Sequence, residues 1–381
     1  MRPAEALTLE NRIEALCRSA LGVSPCAIVP IEAGLGSRRF FRVEFADSDR
    51  NRDRTGDPRT DPSRDPGSPP GDAPASLIAR CEMPEDPALR PPGVKPEPPL
   101  EPIRALLEAN GLPVPRRYAA DESADTADIE LLEDAGDVTL DALAARADST
   151  ERNALYALAA DWIPRLQAIE GDPARVPNFA RSLDAALLDY KADQVCQWLV
   201  PYATGKPATA AETRVVADAF GEIKAAVAAA PQRLAHRDYK AQNLHVLGGT
   251  TAPRLMMIDL QGAFLAPPEY DLVCLLRDLQ FELSREEVHA QRERIRPALP
   301  DAPSRDEFEH RFELLTLSRV GKDLARYLYA IHERGDERYR QYLPTPVRHL
   351  RDAATASAPW SRALARFADL IASLPEPPCA Q

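Results

Sequence analysis

His236-Arg237-Asp238-Tyr239-Lys240-Ala241-Gln242-Asn243 is a polar stretch with an aspartate five residues before an asparagine. Sixteen residues past Asn243, in Met257-Ile258-Asp259-Leu260-Gln261, a short apolar run ends in a second aspartate. These are the oxygen-bearing side chains that phosphoryl transfer from a metal-bound nucleotide requires. The reaction gathers negative charge on phosphate oxygens that must be held in line, so it needs a carboxylate to orient the acceptor hydroxyl and hard oxygen ligands for Mg²⁺. Asp238 suits the first task, Asn243 and Asp259 the second. An amide beside a carboxylate limits the negative charge next to the phosphates. The spacing lets one loop present Asp238 and Asn243 to the same cavity, with Asp259 arriving from the end of the next strand.

His-Arg-Asp-x-x-x-x-Asn resembles the catalytic-loop signature of the protein kinase-like superfamily, and Ile258-Asp259-Leu260-Gln261 stands where Asp-Phe-Gly would be. Leu260 and Gln261 depart from that tripeptide and point to the aminoglycoside phosphotransferase-like small-molecule kinases. With Pro268-Glu269-Tyr270-Asp271-Leu272-Val273-Cys274-Leu275-Leu276-Arg277-Asp278, these stretches resemble the bacterial N-acetylmuramate/N-acetylglucosamine anomeric kinases of cell-wall (peptidoglycan) recycling, with gaps, from about Ala33 to about Leu343. The resemblance implies an α+β, two-lobed protein kinase-like fold. A small antiparallel-sheet N-terminal lobe would run over 1–132 and a helical C-terminal catalytic and substrate lobe over 133–381, with nucleotide in the cleft between. It further implies ATP and Mg²⁺ as cofactors and an amino sugar phosphorylated on its anomeric hydroxyl to the 1-phosphate. Another small-molecule kinase, for an aminoglycoside, choline or a different sugar, is the alternative, and a nucleotide-binding pseudokinase a second.

Composition bounds the rest. A chain of 381 residues with 44% hydrophobic residues can build two lobes with a sizeable core. A net charge of −12 argues against a nucleic-acid binder. Cys17, Cys26, Cys81, Cys196, Cys274 and Cys379 show no Cys-x-x-Cys spacing, so they read as reduced, mostly buried thiols. The first ten residues hold acids and no apolar signal core, and no stretch is long enough to span a bilayer. The expectation is a cytoplasmic monomer.

Along the chain, Ile13, Leu16, Cys17 and Leu21 mark an amphipathic helix from Leu9 to Leu21. Gly34, Gly36 and Ser37 precede an aromatic, β-branched strand; by themselves they read as an ordinary hairpin turn, and in kinase order as a phosphate clamp. Residues 47–74 shift to Asp, Arg, Pro, Ser and Gly and read as a disordered insertion. In Ser76–Glu82, where most kinases of the superfamily place a lysine for the phosphates, the nearest cation is Arg80, which reads either as a phosphate contact or as a strand-edge residue facing solvent. Leu100 to Asn110 is the αC-equivalent helix, stopped by Gly111; its Glu101 either pairs with Arg80 or complements the helix dipole. Leu132 and Glu133 are placed at the adenine by resemblance. Leu155, Ala159, Trp162, Leu166 and Ile169 predict one helix over about Glu151 to Glu170. The resemblance offers Asp193 for sugar hydroxyls and Trp198 for stacking on the ring; judged alone, they read as a solvated acid and a core tryptophan. The resemblance implies that His236 packs beneath the loop, and Asp271 reads as a helix cap that also holds the loop by hydrogen bonds.

Overall fold

Thr8 starts the first helix, its hydroxyl accepting from Asn11 N at 3.3 Å, and Gly22, left-handed at φ 74°, ends it. This α1 (Leu9–Leu21) turns Ile13 and Cys17 inward. The computed structural model describes residues 8–32, 38–46, 74–83, 95–122, 128–248 and 253–376. Strands β1 (Ala27–Ile31), β2 (Arg39–Glu44), β3 (Ser76–Glu82), β4 (Arg117–Asp121) and β5 (Asp128–Glu133) form an antiparallel sheet in the order β1-β2-β3-β5-β4. The two-residue strand period puts Phe41 and Val43, Leu77, Ala79 and Cys81, and Ile129 and Leu131 on one face, where Ile13 and Cys17 cover them. This core belongs to a compact unit formed by Met1–Arg90 and Pro115–Ala135. Of the polar 47–74 tract only Pro74 lies within the described residues.

The second unit comprises Pro91–Val114 and Gly136–Gln381. Helix α2 (Leu100–Ala109) belongs to it: Leu100, Ile103 and Leu107 are buried, the helix packs on the turn Leu260–Gly262, and Gly111 follows at φ 69°. Glu101 pairs with Arg104 of the same helix at 2.7 Å. After α3 (Leu140–Ala144), the single helix expected over 151–170 is two, α4 (Ser149–Ala160) and α5 (Trp162–Gln167). Pro164 lacks the N–H that would bond the carbonyl of residue 160, and its ring collides with that carbonyl, so the helix breaks at Asp161. Trp162 is half-buried, with the Arg165 guanidinium 4.3 Å above its ring. Helix α6 (Ala185–Gln194) runs through a π turn (Val195–Leu199) into α7 (Val200–Thr204), and α8 (Ala210–Ala229) follows.

Two short antiparallel strand pairs then frame the 236–243 loop. β6 (Arg233–Ala235) pairs with β9 (Phe264–Ala266), and β7 (Leu244–Leu247) with β8 (Arg254–Met257). Helix α9 (Tyr270–Leu276) is buried throughout. It is followed by α10 (Arg285–Ile295), the long α11 (Arg305–Arg334), α12 (Pro344–Ser357) and α13 (Arg362–Ala372), with α11 packed against α6, α9 and α12. Among the described residues the cysteines are unpaired, with Cys17, Cys81 and Cys274 buried. No described helix is long and apolar enough to cross a membrane.

Candidate active site

The 236–243 loop is held in place largely by its own backbone. Asp238 O accepts from Lys240 N and from Asn243 Nδ2, both at 2.8 Å, and Lys240 O accepts from Asn243 N at 2.9 Å. Ile258 N donates to Asn243 O at 3.0 Å, extending the β7–β8 register by one pair and bringing Asn243 opposite the residue that precedes Asp259. His236 Nε2 lies 2.9 Å from Ile258 O, and since a carbonyl only accepts, the ring donates. His236 therefore ties the loop to the segment that carries Asp259, the supporting part the resemblance implied. Arg237 and Asp259 adopt positive φ, 79° and 63°, conformations that a non-glycine residue keeps only when its surroundings hold it there.

Asp271 does much of that holding. Its carboxylate accepts from His236 N at 2.7 Å and Arg237 N at 3.0 Å. It does not cap α9, because Glu269 occupies the N-cap position and Asp271 stands inside the first turn, so both its oxygens are spent on the loop. Burial pushes the Asp271 carboxyl up to about 6, against the pull of His236 and of its two backbone bonds. On the Asp259 side, Gln261 Nε2 donates to Asp259 Oδ1 at 2.6 Å, and Asn178 Nδ2 donates to the carbonyls of Gln261 and Ala263 at 3.1 and 3.0 Å. Glu97 joins the two halves by accepting from Arg237 at 2.9 Å and Gln261 at 3.4 Å.

The Asp238 side chain is 31% exposed, and Arg319 Nη2 donates to its Oδ1 at 2.8 Å. Desolvation works against its charge, but the Arg319 and Arg237 guanidiniums and the Lys322 ammonium outweigh it and hold the carboxyl well below the usual range. Arg319 also bonds Asp323 Oδ2 at 2.8 Å, and Asp323 Oδ1 takes Lys322 Nζ at 2.8 Å. Nearby, Lys191 is buried with its Nζ 3.4 Å from Tyr270 OH; burial, helped by Arg319 and Lys322, lowers its ammonium to about 7.

Asn243 and Asp259 fit a Mg²⁺ site of the kind that takes one or two protein oxygens and completes its shell with phosphates and water. The Asn243 amide nitrogen is committed to Asp238 O, so Oδ1 is the atom that could ligate a cation. No group of three His, Cys, Asp or Glu side chains able to hold a metal occurs among the described residues.

The other residues singled out from the sequence lie as follows. Gly34, Gly36 and Ser37 lie outside the described residues. Arg80 is not a solvent-facing edge residue: it is 7% exposed, bonds Glu130 of β5 at 2.7 Å and also pairs with Glu82. Leu132 is buried in β5; Glu133 N donates to Arg116 O at 2.8 Å and its carboxylate accepts from Arg116 N at 3.1 Å. Asp193 is exposed on α6, and Trp198 is half-buried with its ring edge-on to Tyr329, 5.4 Å between centroids. No hydrogen bond or ring contact among the described residues ties Asp193 or Trp198 to the 236–243 loop. The residues that do surround Asp238, namely Arg319, Lys322 and Asp323, escaped the sequence reading, which followed only the apolar positions of α11. Their spacing of three and four residues, continued by Arg326, is a charged stripe opposite the apolar positions Leu317, Val320, Leu324 and Leu328 and was the available signal.

Residues 100–308, more than half of the chain, match the model of the phosphotransferase enzyme family. The chain belongs to that family. It is similar to an N-acetylmuramate/N-acetylglucosamine kinase of Pseudomonas aeruginosa, 30% identical over 151 residues that cover 38% of this chain and 42% of the relative. A protein of the same name from Caulobacter vibrioides is 29% identical over 248 residues, 62% of this chain and 65% of the relative. The chain thus spans less than two thirds of the length of these relatives. Among solved structures, the streptomycin–ATP–APH(2'')-IIa ternary complex superposes with a TM-score of 0.52 at 15% identity, covering 88% of this chain and 97% of the other. That likeness shows the α+β kinase-like fold.

Proposed function

We propose that the chain is an ATP-dependent kinase that transfers the γ-phosphoryl group to the anomeric hydroxyl of an N-acetylated amino sugar, N-acetylmuramate or N-acetylglucosamine, giving the 1-phosphate in the recycling of cell-wall sugars. The observation that carries this reading is an ionised, partly open carboxylate, Asp238, held on the same backbone-bonded loop as Asn243, whose carbonyl is bonded by Ile258, the residue before Asp259. The names of the two relatives support the choice of acceptor.

Asp238 orients the acceptor hydroxyl and receives its proton. Held at so low a pKa it is a weak base, which suits a transition state in which the phosphoryl group is loosely bonded and the acceptor proton leaves late. An anomeric hydroxyl is more acidic than other sugar hydroxyls and demands less of that base. Asn243 and Asp259 would hold Mg²⁺, which when bound neutralises phosphate charge. Gly34, Gly36, Ser37, Leu132 and Glu133 are assigned to the nucleotide. Arg80 is assigned to the phosphates in place of the usual lysine, with Glu130 as the carboxylate that steadies it. Asp193 and Trp198 are assigned to the sugar.

The test is product formation from ATP with each sugar offered side by side, the phosphorylated position being read by ³¹P and ¹H NMR. A 1-phosphate on either sugar is expected. Transfer only to an aminoglycoside or an amino alcohol would replace the proposed acceptor with another of the same chemistry.

A further inference from the structure

Asp238 is gripped from outside its own loop. Arg319, near the middle of α11 and 81 residues further along the chain, is 9% exposed and spreads its planar fork over three acceptors. Nη2 donates to Asp238 Oδ1 at 2.8 Å, Nη1 to the main-chain oxygen of Arg237 at 3.0 Å, and Nε pairs with Asp323 Oδ2 at 2.8 Å. The Arg237 carbonyl belongs to the positive-φ residue immediately before Asp238, so one guanidinium fixes both the carboxylate and the backbone that aims it. The other carboxylate oxygen, Oδ2, has no hydrogen bond among the described residues, and Arg237 Nε lies 4.0 Å from it.

A buried cation on α11, on the side opposite Leu317, Val320, Leu324 and Leu328, gains little net stability from its ion pairs, because desolvation offsets the attraction. Its two hydrogen bonds and one ion pair do define one orientation of one carboxylate, which a lysine, with a compact point charge, could not reproduce.

We propose that Arg319 is a positioning residue for phosphoryl transfer: it clamps Asp238 by Oδ1 so that Oδ2 is the oxygen presented to the acceptor hydroxyl, and Asp323 locks the clamp. This rests on the reading of Asp238 as the group that meets the acceptor. The role is geometric. An acceptor already bound is misaligned when the clamp is lost, and misplacement by about 1 Å costs on the order of 100-fold in rate.

The test compares Arg319→Met, Arg319→Lys, Asp323→Asn and the Met/Asn double variant in the full chain, with Asp238→Asn alongside. ADP release is followed with MgATP and each of the two sugars, and folding by thermal melting. Arg319→Met is expected to lower kcat about 100-fold while KM for ATP and sugar stay within about threefold. Arg319→Lys should recover about tenfold of the loss, and Asp323→Asn should lose about tenfold but add nothing in the double variant, because both act through one clamp. Should Arg319→Met fail to melt cooperatively, Arg319→Lys and Asp323→Asn carry the same comparison with the charge retained. A kcat within threefold of the parent for the folded Arg319 variants, or a loss lying wholly in KM, overturns the clamp. Undiminished kcat for Asp238→Asn would instead overturn the role of Asp238 itself, so the two failures are distinguishable.

Discussion

Replacing Asp271 by asparagine removes a charge from the interior and one of the acceptors that shape the 236–243 loop, and the two effects oppose each other. The folded carboxyl sits at about 6 against an ordinary 3.8, with burial as the leading cause. Between those values the folded protein binds more protons at this site than the unfolded chain does, so the group's contribution to stability falls as pH rises through the window. Integrating the two titrations gives a loss of about 2 kcal/mol between about pH 4.5 and pH 7, and about 3 kcal/mol in all by pH 7. Asparagine carries no charge and escapes that cost, but its amide accepts through a single oxygen. One of the two loop N–H groups, His236 N or Arg237 N, loses its partner, at about 1–3 kcal/mol. The two terms nearly cancel near neutrality, so Asp271→Asn should be within about 1–2 kcal/mol of the parent at pH 7 and less stable than it at pH 4.5. Function should not cancel: with Arg237 no longer held at positive φ, kcat should fall at least tenfold. Urea denaturation of both proteins at the two pH values, with kcat at pH 7, makes the comparison. Identical pH dependence of stability in parent and variant, to within about 0.5 kcal/mol, would refute the raised carboxyl. An unchanged kcat would refute the idea that Asp271 shapes the loop.

Other expectations follow from the same geometry. Asp238→Ala should abolish turnover while a fluorescent ATP analogue binds nearly as before. Asp259→Asn should raise the Mg²⁺ concentration needed for half-maximal activity at least tenfold, seen by titrating Mg²⁺ at fixed ATP, and should leave the melting temperature within a few degrees. Lys191, lowered to about 7 mainly by burial, binds fewer protons folded than unfolded between about pH 7 and its ordinary 10.5, so stability should rise with pH across that window. Lys191→Met should remove the slope and be more stable than the parent by on the order of 3 kcal/mol near pH 7, the gap closing towards pH 10, as read from denaturation midpoints.

What the amino-acid sequence determined by itself is what short-range chemistry decides. Thr8 and Gly22 mark both ends of α1, the apolar positions of Arg39–Glu44 and Ser76–Glu82 mark two strands that bury residues in the sheet, and His236 to Asn243 carries Asp238 and Asn243 at a spacing one loop can hold. Caps, the strand period of two and the helix period of 3.6 act over a few residues, so they can be read without knowing the rest of the chain. Pro164 was equally local, and its break of the 151–170 helix could have been read there and was outweighed by the apolar stripe. The tertiary structure alone decided which distant groups surround that loop. Glu97 lies 140 residues before Arg237, Asp271 stands 35 residues after His236, and Arg319 stands 81 after Asp238. It likewise placed Glu130, fifty residues on, beside Arg80. A charged side chain on a buried helix face announces that it needs a partner, but which partner it finds depends on how helices and hairpins far apart in the chain pack together. For that reason the charge of Asp238, the angle at which it is held and the fate of Arg80 became visible only in the folded protein.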